Sequence, residues 1–181
     1  MEETMTNAED RIGIGAYVDE AVQHRRYLHA HPEPSFREHN TQEYIMQALR
    51  NLGLEPHSVA ETGVTALIRG AAGTAADRVL LLRADIDALC LTEQTGLPFA
   101  SQNPGVMHAC GHDGHTATLL AVAHWLIDHR DRYGGAVKLL FQPAEELSPG
   151  GAEPCVREGI LEEPRVTFVF GIHLWNTLPF G

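Results

Sequence analysis

The chain has 181 residues, of which 44% are apolar, and this length and composition are typical of a single globular domain. A formal net charge of −11, with no run of Lys or Arg, argues against nucleic acid and anionic membranes as partners. No apolar stretch approaches the roughly 20 residues that cross a bilayer, and the three cysteines lack the spacing of a disulfide framework, so a cytoplasmic setting is expected.

Helical and strand patterns alternate along most of the chain, after a predicted polar leader at residues 1–11. Helices are predicted over residues 14–28, 41–52, 113–129 and 151–159. Strands are predicted over residues 64–68, 79–82, 136–141 and 166–170. The last three strands are short apolar runs, typical of strands buried on both faces. The alternation predicts an α/β fold, an α/β/α sandwich with a largely parallel sheet.

Three of the predicted strands are followed by side chains that can bind metals or transfer protons. In chain order these side chains are Asp85 and Asp87, Glu145 and Glu146, and His173. Open α/β sheets carry their sites beyond the carboxyl ends of the strands. We therefore expect these side chains to meet at one edge of the sheet.

The run from His108 to His115 combines cysteine, histidine and glycine just before the longest predicted apolar helix. Cys110 and His112 offer a thiolate and an imidazole two residues apart, and the two glycines would let the backbone bend around an ion. The N-terminal N–H groups of the helix are expected to favour thiolate over thiol at Cys110. A His-rich loop around a structural Cys and a structural zinc site remain alternatives. The nucleobase-deaminase signature is absent, because no Glu stands two residues after His112.

The acidic pairs are candidates for metal binding and proton transfer. Glu145 and Glu146 follow an extended segment, so their side chains are expected to point in different directions. One carboxylate could then bind metal while the other handles protons. Asp87 could hold a ligand imidazole in one tautomer. The alternatives are a solvated acidic loop at Glu145 and Glu146, and turn capping by Asp85 and Asp87.

Five blocks of the sequence together resemble the N-acyl-amino-acid amidohydrolases. This branch of the aminoacylase and carboxypeptidase-G-like dinuclear metallopeptidases includes hippurate hydrolase and the plant auxin-conjugate hydrolases. The matching blocks occur in family order and cover residues 25–33, 82–89, 108–115, 141–146 and 171–173.

The resemblance implies roles for the matching residues. The metal ligands would be Cys110, His112, Glu146 and His173. Glu145 would be the general base, Asp87 would orient a ligand, and His108 receives no role. The implied cofactors are two divalent metal ions, Zn, Mn or Co. The implied activity is hydrolysis of the amide bond of N-acyl amino acids or related small amides.

The sequence departs from the family pattern at several positions. Asp85 stands where many relatives have a metal-binding His, so no ligand role is carried onto it. Cys90 stands where the branch usually has Pro, and it is expected, like Cys155, to be a small core residue. Pro34 and Ser35 replace the usual Leu-Gly in a region that we interpret as structural.

Family members are considerably longer than this chain. The resemblance implies that residues 12–181 form the N-terminal portion of the catalytic domain, which is therefore incomplete. A lid or dimerisation domain and a last histidine ligand would follow, so a homodimer is possible for the full-length protein and little activity is expected of this chain alone. The alternatives are a nonfunctional or purely structural fragment and a single-metal binding module. A serine hydrolase is not supported, because no Gly-x-Ser-x-Gly elbow occurs.

Overall fold

A computed structural model describes residues 8–73, 75, 77–175 and 177–179 of the chain, with side chains from residue 13 onward. The helices are α1 (Ala8–Ala30), α2 (His39–Asn51), α3 (His112–Asp128) and α4 (Ala152–Arg157). The strands are β1 (His57–Val59), β2 (Gly63–Arg69), β3 (Val79–Asp85), β4 (Ala136–Gln142) and β5 (Phe168–Gly171). Residues 1–7 of the predicted leader lie outside the described residues, and residues 8–11 belong to α1. None of the described helices is both long and apolar enough to cross a membrane.

The five described strands form one mixed sheet in the order β1-β2-β4-β3-β5. Strand β3 runs parallel to both of its neighbours, with Leu82 opposite Leu139 of β4 and Phe170 of β5. The pairings of β2 with β4 and of β1 with β2 are antiparallel. The predicted α/β class and the parallel centre of the sheet are confirmed, whereas the antiparallel edge was not predicted. Strand β1 was missed because three residues are too few to show a strand period.

Apolar side chains cover both faces of the sheet. Helices α2 and α3 pack on one face, where the fully or almost fully buried residues include Ile45, Leu49, Ile68, Leu120 and Phe141. A smaller cluster on the other face joins the sheet to α4 and the segment after it, through Leu81, Leu140, Cys155 and Ile160. All seven residues of the central strand β4 are buried. This arrangement is the predicted α/β/α sandwich, with a thinner layer on the α4 side.

The only lysine of the sequence, Lys138, lies in that buried central strand. Its Nζ donates hydrogen bonds to the carbonyl oxygens of Ile160 at 2.8 Å, Glu162 at 2.5 Å and Pro164 at 3.1 Å. Burial lowers the pKa of Lys138. The three carbonyl groups make this burial tolerable, because a buried ammonium is costly unless it is hydrogen-bonded.

Two predictions about buried apolar residues are wrong. Strand β5 pairs only with β3 among the described strands, and Phe168, Val169 and Phe170 are 61%, 61% and 58% exposed. An apolar run shows that a strand can be buried, but the covering layer has to come from elsewhere in the fold. Cys90 is also exposed rather than part of the core, while Cys155 is buried as predicted.

Candidate metal centre

The carboxyl ends of β3, β4 and β5 and the N-terminus of α3 meet at one edge of the sheet. This topology follows from the parallel alignment of the three strands. Ligand atoms of three overlapping groups there lie within 4.8 Å of one another. The groups are Cys110, His112 and His173; His112, Glu145 and Glu146; and Asp85, His112 and His115. The side chains expected to meet at this edge are therefore brought together, and His112 belongs to every group.

His112 is buried at the first turn of α3 and has one occupied and one free ring nitrogen. Its Nδ1 lies 3.0 Å from the carbonyl oxygen and 3.2 Å from Oδ1 of Asp87, so Nδ1–H donates to Asp87. The Nε2 atom then carries the lone pair that a metal requires. Among the described residues Nε2 has no hydrogen-bond partner, and it faces Glu146 Oε1 at 3.7 Å and Glu145 Oε2 at 3.9 Å.

Asp87 is the buried carboxylate that orients this imidazole. Burial favours its neutral form, but hydrogen bonds from His112, from the Ser35 hydroxyl and from backbone N–H groups outweigh burial and hold the pKa of Asp87 at about 2. Ser35 Oγ donates to Oδ2 at 2.6 Å, and the backbone N–H of Glu146 donates to the same oxygen at 3.0 Å. Asp87 is therefore a fixed anion that ties α3 to the Glu145–Glu146 segment.

The two glutamates do not point apart as the extended pattern predicted. Ala144, which precedes them, has a left-handed φ of 49°, and this turn breaks the alternation of the strand. Both carboxylates consequently reach the same histidine nitrogen. Glu145 is the more exposed of the two side chains, 43% against 21% for Glu146.

Cys110 lies beside His173, with 3.4 Å between Sγ and Nε2. Burial and the neighbouring Glu146 carboxylate raise the pKa of the Cys110 thiol to about 11. The helix N-terminus was expected to favour the thiolate of Cys110. This expectation is wrong for the protein alone, because burial and the surrounding carboxylates oppose a negative charge on the sulfur. A bound cation reverses this balance and deprotonates a coordinating thiol.

In the third group, the two members other than His112 already have hydrogen-bond partners. His115 lies 2.5 Å from Asp85 through Nδ1, and its Nε2 accepts the backbone N–H of Leu174 at 2.8 Å. Arg83 donates to the other oxygen of Asp85 at 2.6 Å. Both nitrogens of His115 are therefore occupied, and His115 holds the backbone of Leu174, next to His173. Within the described residues, the only free histidine nitrogen of this group is Nε2 of His112, which lies 3.7 Å from Oδ1 of Asp85.

The remaining donor set fits divalent cations. Two buried atoms that face each other, His112 Nε2 and Glu146 Oε1, have no hydrogen-bond partner in the described part of the chain. Four carboxylates lie within 4 Å of a ring nitrogen of His112, so the region is strongly negative; they belong to Asp85, Asp87, Glu145 and Glu146. A thiol, imidazoles and carboxylates together suit Zn, and carboxylates also accept Mn or Co.

Several residues that support this centre were not predicted from the sequence. Ser35 was interpreted as structural, yet it donates directly to Asp87; its departure from the family pattern was the only signal. His29 bridges Asp113 at 2.8 Å and Glu93 at 3.2 Å, next to the first turn of α3. Glu38 accepts a hydrogen bond from the residue preceding Glu145. A lone acid before a helix carries no signal of such a contact.

Comparison with known proteins shows the family of this chain. The model of peptidase family M20/M25/M40 matches residues 81–181, more than half of the chain. The chain belongs to this family. An N-acyl-L-amino acid amidohydrolase of Geobacillus stearothermophilus is 44% identical over 178 residues, 98% of this chain and 47% of the relative. Thermostable carboxypeptidase 1 of Saccharolobus solfataricus is 42% identical over 167 residues, 90% of this chain and 41% of the relative.

A solved structure of the same family supports the fold of this M20-family chain. The Bacillus subtilis YXEP protein, described as a dinuclear metal binding peptidase from the M20 family, superimposes with a TM-score of 0.83 at 42% identity. The match covers 91% of this chain and 45% of that one. The chain thus spans less than half the length of each of these three relatives.

Proposed function

We propose that this chain forms part of an enzyme that hydrolyses the amide bond of N-acyl amino acids or related small amides with two divalent metal ions. The observation that carries the proposal is the facing pair of unpartnered buried atoms, His112 Nε2 and Glu146 Oε1, between a thiol and a second glutamate. The names of the M20 relatives, an amidohydrolase and a carboxypeptidase, support amide hydrolysis.

The proposed ligands are Cys110, His112, Glu146 and His173, as the resemblance implies. The grouping of Cys110 with His112 and His173, and of His112 with Glu146, supports this assignment. Asp87 keeps the His112 ring in the tautomer that presents Nε2. No ligand role is proposed for Asp85, whose two oxygens are hydrogen-bonded to His115 and Arg83, although Oδ1 also lies 3.7 Å from His112 Nε2.

Glu145 is proposed as the general base. Divalent ions at this centre would supply Lewis acidity towards the amide carbonyl and lower the pKa of water. Glu145 then takes a proton from the attacking water and returns it to the leaving amine nitrogen. Its carboxylate is the more exposed of the pair, and it lies within 4 Å of His112. This position suits a group that exchanges protons with an entering substrate.

Metal binding by the chain tests the proposal directly. After chelator treatment, the wild-type chain should bind Zn²⁺ or Co²⁺, and Cys110→Ser should weaken binding and remove the thiolate-to-cobalt absorption band. Cys90→Ser is the matched control, because Cys90 is exposed and belongs to none of the three ligand groups. A Cys110→Ser chain with unchanged metal stoichiometry would exclude Cys110 as a ligand.

A single-metal binding module is the second candidate. It is favoured by the fact that His112 is shared by all described ligand groups and offers only one free nitrogen. Binding of one ion per chain, without hydrolysis that depends on Glu145, would support it. For the 181-residue chain alone we expect little hydrolysis, and robust chelator-sensitive turnover would contradict that expectation.

The proposal includes a cytoplasmic setting and a small-molecule substrate. A cysteine ligand has to stay reduced, and reducing compartments keep thiols free. The three cysteines are unpaired in the structure. A homodimer of the full-length protein remains part of the proposal on the resemblance alone.

A further inference from the structure

Glu38 is a fully buried carboxylate that lies just before α2, far in sequence from the proposed ligands. Its Oε1 accepts the backbone N–H of Ala144 at 2.8 Å, and its Oε2 accepts the Thr62 hydroxyl at 2.5 Å. A buried carboxylate is costly unless its oxygens are hydrogen-bonded. Both oxygens of Glu38 are hydrogen-bonded, and one of them reaches the segment that carries the two active-site glutamates.

Ala144 has an unusual backbone conformation at this contact. Its φ of 49° lies in the left-handed region, which residues other than Gly seldom adopt. The residue is fully buried, and its carbonyl oxygen accepts the N–H of Gly151 at 2.9 Å. Hydrogen bonds therefore hold Ala144 on both sides, and the turn that it makes directs the chain from β4 into Glu145.

A second anchor lies on the other side of Glu145. The N–H of Glu146 donates to Asp87, and Asp87 in turn accepts the hydroxyl of Ser35. Ser35 and Glu38 belong to the same short segment between α1 and α2. This segment therefore reaches both anchors. Glu38 bonds to Ala144 directly, and Ser35 bonds to Asp87, which accepts the N–H of Glu146.

We propose that Glu38 is a positioning residue, which holds Ala144 in the left-handed turn that brings Glu145 and Glu146 to His112. Without its carboxylate, the buried N–H of Ala144 is left unpaired, and the turn relaxes towards the backbone conformations that alanine prefers. The carboxylates of Glu145 and Glu146 then no longer both point towards His112. The inference rests on the proposed function, since it assumes that Glu146 binds metal.

Cobalt binding to the 181-residue chain tests this inference without requiring hydrolysis. Glu38→Met keeps most of the buried volume but accepts no hydrogen bond from Ala144, so cobalt affinity should fall by about 10–100-fold, the usual effect of losing a group that orients a ligand. Glu38→Gln retains an acceptor for Ala144 and should restore wild-type affinity.

Glu33→Met is the matched control for the loss of an acid from the same segment. Glu33 accepts the N–H of Thr41 at 2.8 Å and caps α2 without contacting Ala144, so this variant should bind cobalt as the wild type does. Circular dichroism checks that each variant is folded. If Glu38→Met does not fold, Glu38→Asp replaces it, because the shorter side chain cannot reach Ala144 and Thr62 together.

Three results would contradict the inference. Wild-type affinity in a folded Glu38→Met or Glu38→Asp chain would overturn it while leaving the proposed function intact. An equal loss of cobalt affinity in Glu33→Met would show that both substitutions act only by destabilising the segment between α1 and α2. A wild-type chain that binds no cobalt would overturn the proposed function itself, and this inference with it.

Discussion

The buried histidines of this chain differ in how many ring nitrogens have a hydrogen-bond partner. His112 has one free nitrogen, His115 and His29 use both, and His108 has none bonded among the described residues. The partners lie far away in sequence, since Asp87 comes before the Cys/His run and Glu93 follows β3. Sequence therefore predicts which residues can bind a metal, but the nitrogen left free depends on the folded contacts. The roles of Ser35 and Glu38 were missed for the same reason.

At the same scale, Glu145→Gln tests the proposed general base. In a complete enzyme the substitution should lower kcat by about 10²–10⁴-fold, because the amide that replaces the carboxylate cannot accept the proton. Bound metal, measured by elemental analysis, should change little, since the ligand role is assigned to Glu146. Substantial residual turnover would contradict the role of Glu145.

The His29 network predicts a pH dependence of stability. The hydrogen bond to Asp113 raises the pKa of His29 above 6.5, against the opposing effect of burial and with further help from Glu93. A raised pKa in the folded state stabilises the fold fully below about 6.5, and this stabilisation is lost as the pH rises through the higher value. Urea unfolding at a series of pH values from 6 upwards should show this fall.

His29→Gln is the control for that measurement. Glutamine can still donate a hydrogen bond to Asp113 or Glu93, but it does not titrate, so the decrease in stability above pH 6.5 should become shallower. An equally steep decrease in the variant would assign the pH dependence to another group.

At the scale of secondary-structure elements, the apolar patterns predicted where the strands lie better than they predicted whether the strands are buried. Strands β3, β4 and β5 are all apolar runs and were all expected to be buried, yet β5 is exposed. The central strand β4 is the one that contains a lysine, and it is buried throughout. The residue pattern shows where a strand can form, but its burial depends on the elements that pack over it.

Lys138 provides the test at this scale. Lys138→Met should lower the free energy of unfolding by about 1–3 kcal/mol, because the carbonyl groups of Ile160, Glu162 and Pro164 lose their donor. Arg157→Met is the control, since the exposed ion pair of Arg157 with Glu153 contributes little. Chemical denaturation measures both variants, and equal stability of Lys138→Met and wild type would contradict this role of the three hydrogen bonds.

At the scale of the whole molecule, the described surface carries many exposed large apolar side chains. Helices α1 and α3 border a groove of about 620 Å³, which includes Val18, Val22 and Leu174. Strand β5 adds the exposed side chains of Phe168, Val169 and Phe170 to this apolar surface. Strand order and the antiparallel edge could not be predicted, because apolar runs do not specify which strand pairs with which. The fold class could be predicted, because it requires only the alternation of strands and helices.

This exposed surface predicts self-association of the 181-residue chain. Large apolar patches and unpaired strand edges promote association. Replacing Phe168 and Phe170 by Lys should therefore shift light scattering towards the monomer. Leu97→Lys, at a less exposed apolar residue in a loop, is the control and should leave the association unchanged. A wild-type chain that stays monomeric at high concentration would contradict the prediction.

The sheet order also affects how this protein is made. Strand β4 lies between β2 and β3, pairing Val64 with Phe141 and Leu82 with Leu139, although it is synthesised after both neighbours. A ribosome takes roughly 3–10 s to translate the residues between β3 and the end of β4. During that interval β2 and β3 have been synthesised, but β4, the strand that pairs with both of them, has not. The centre of the sheet therefore forms after translation of β4, and a chaperone that shields open strand edges is most useful before that point.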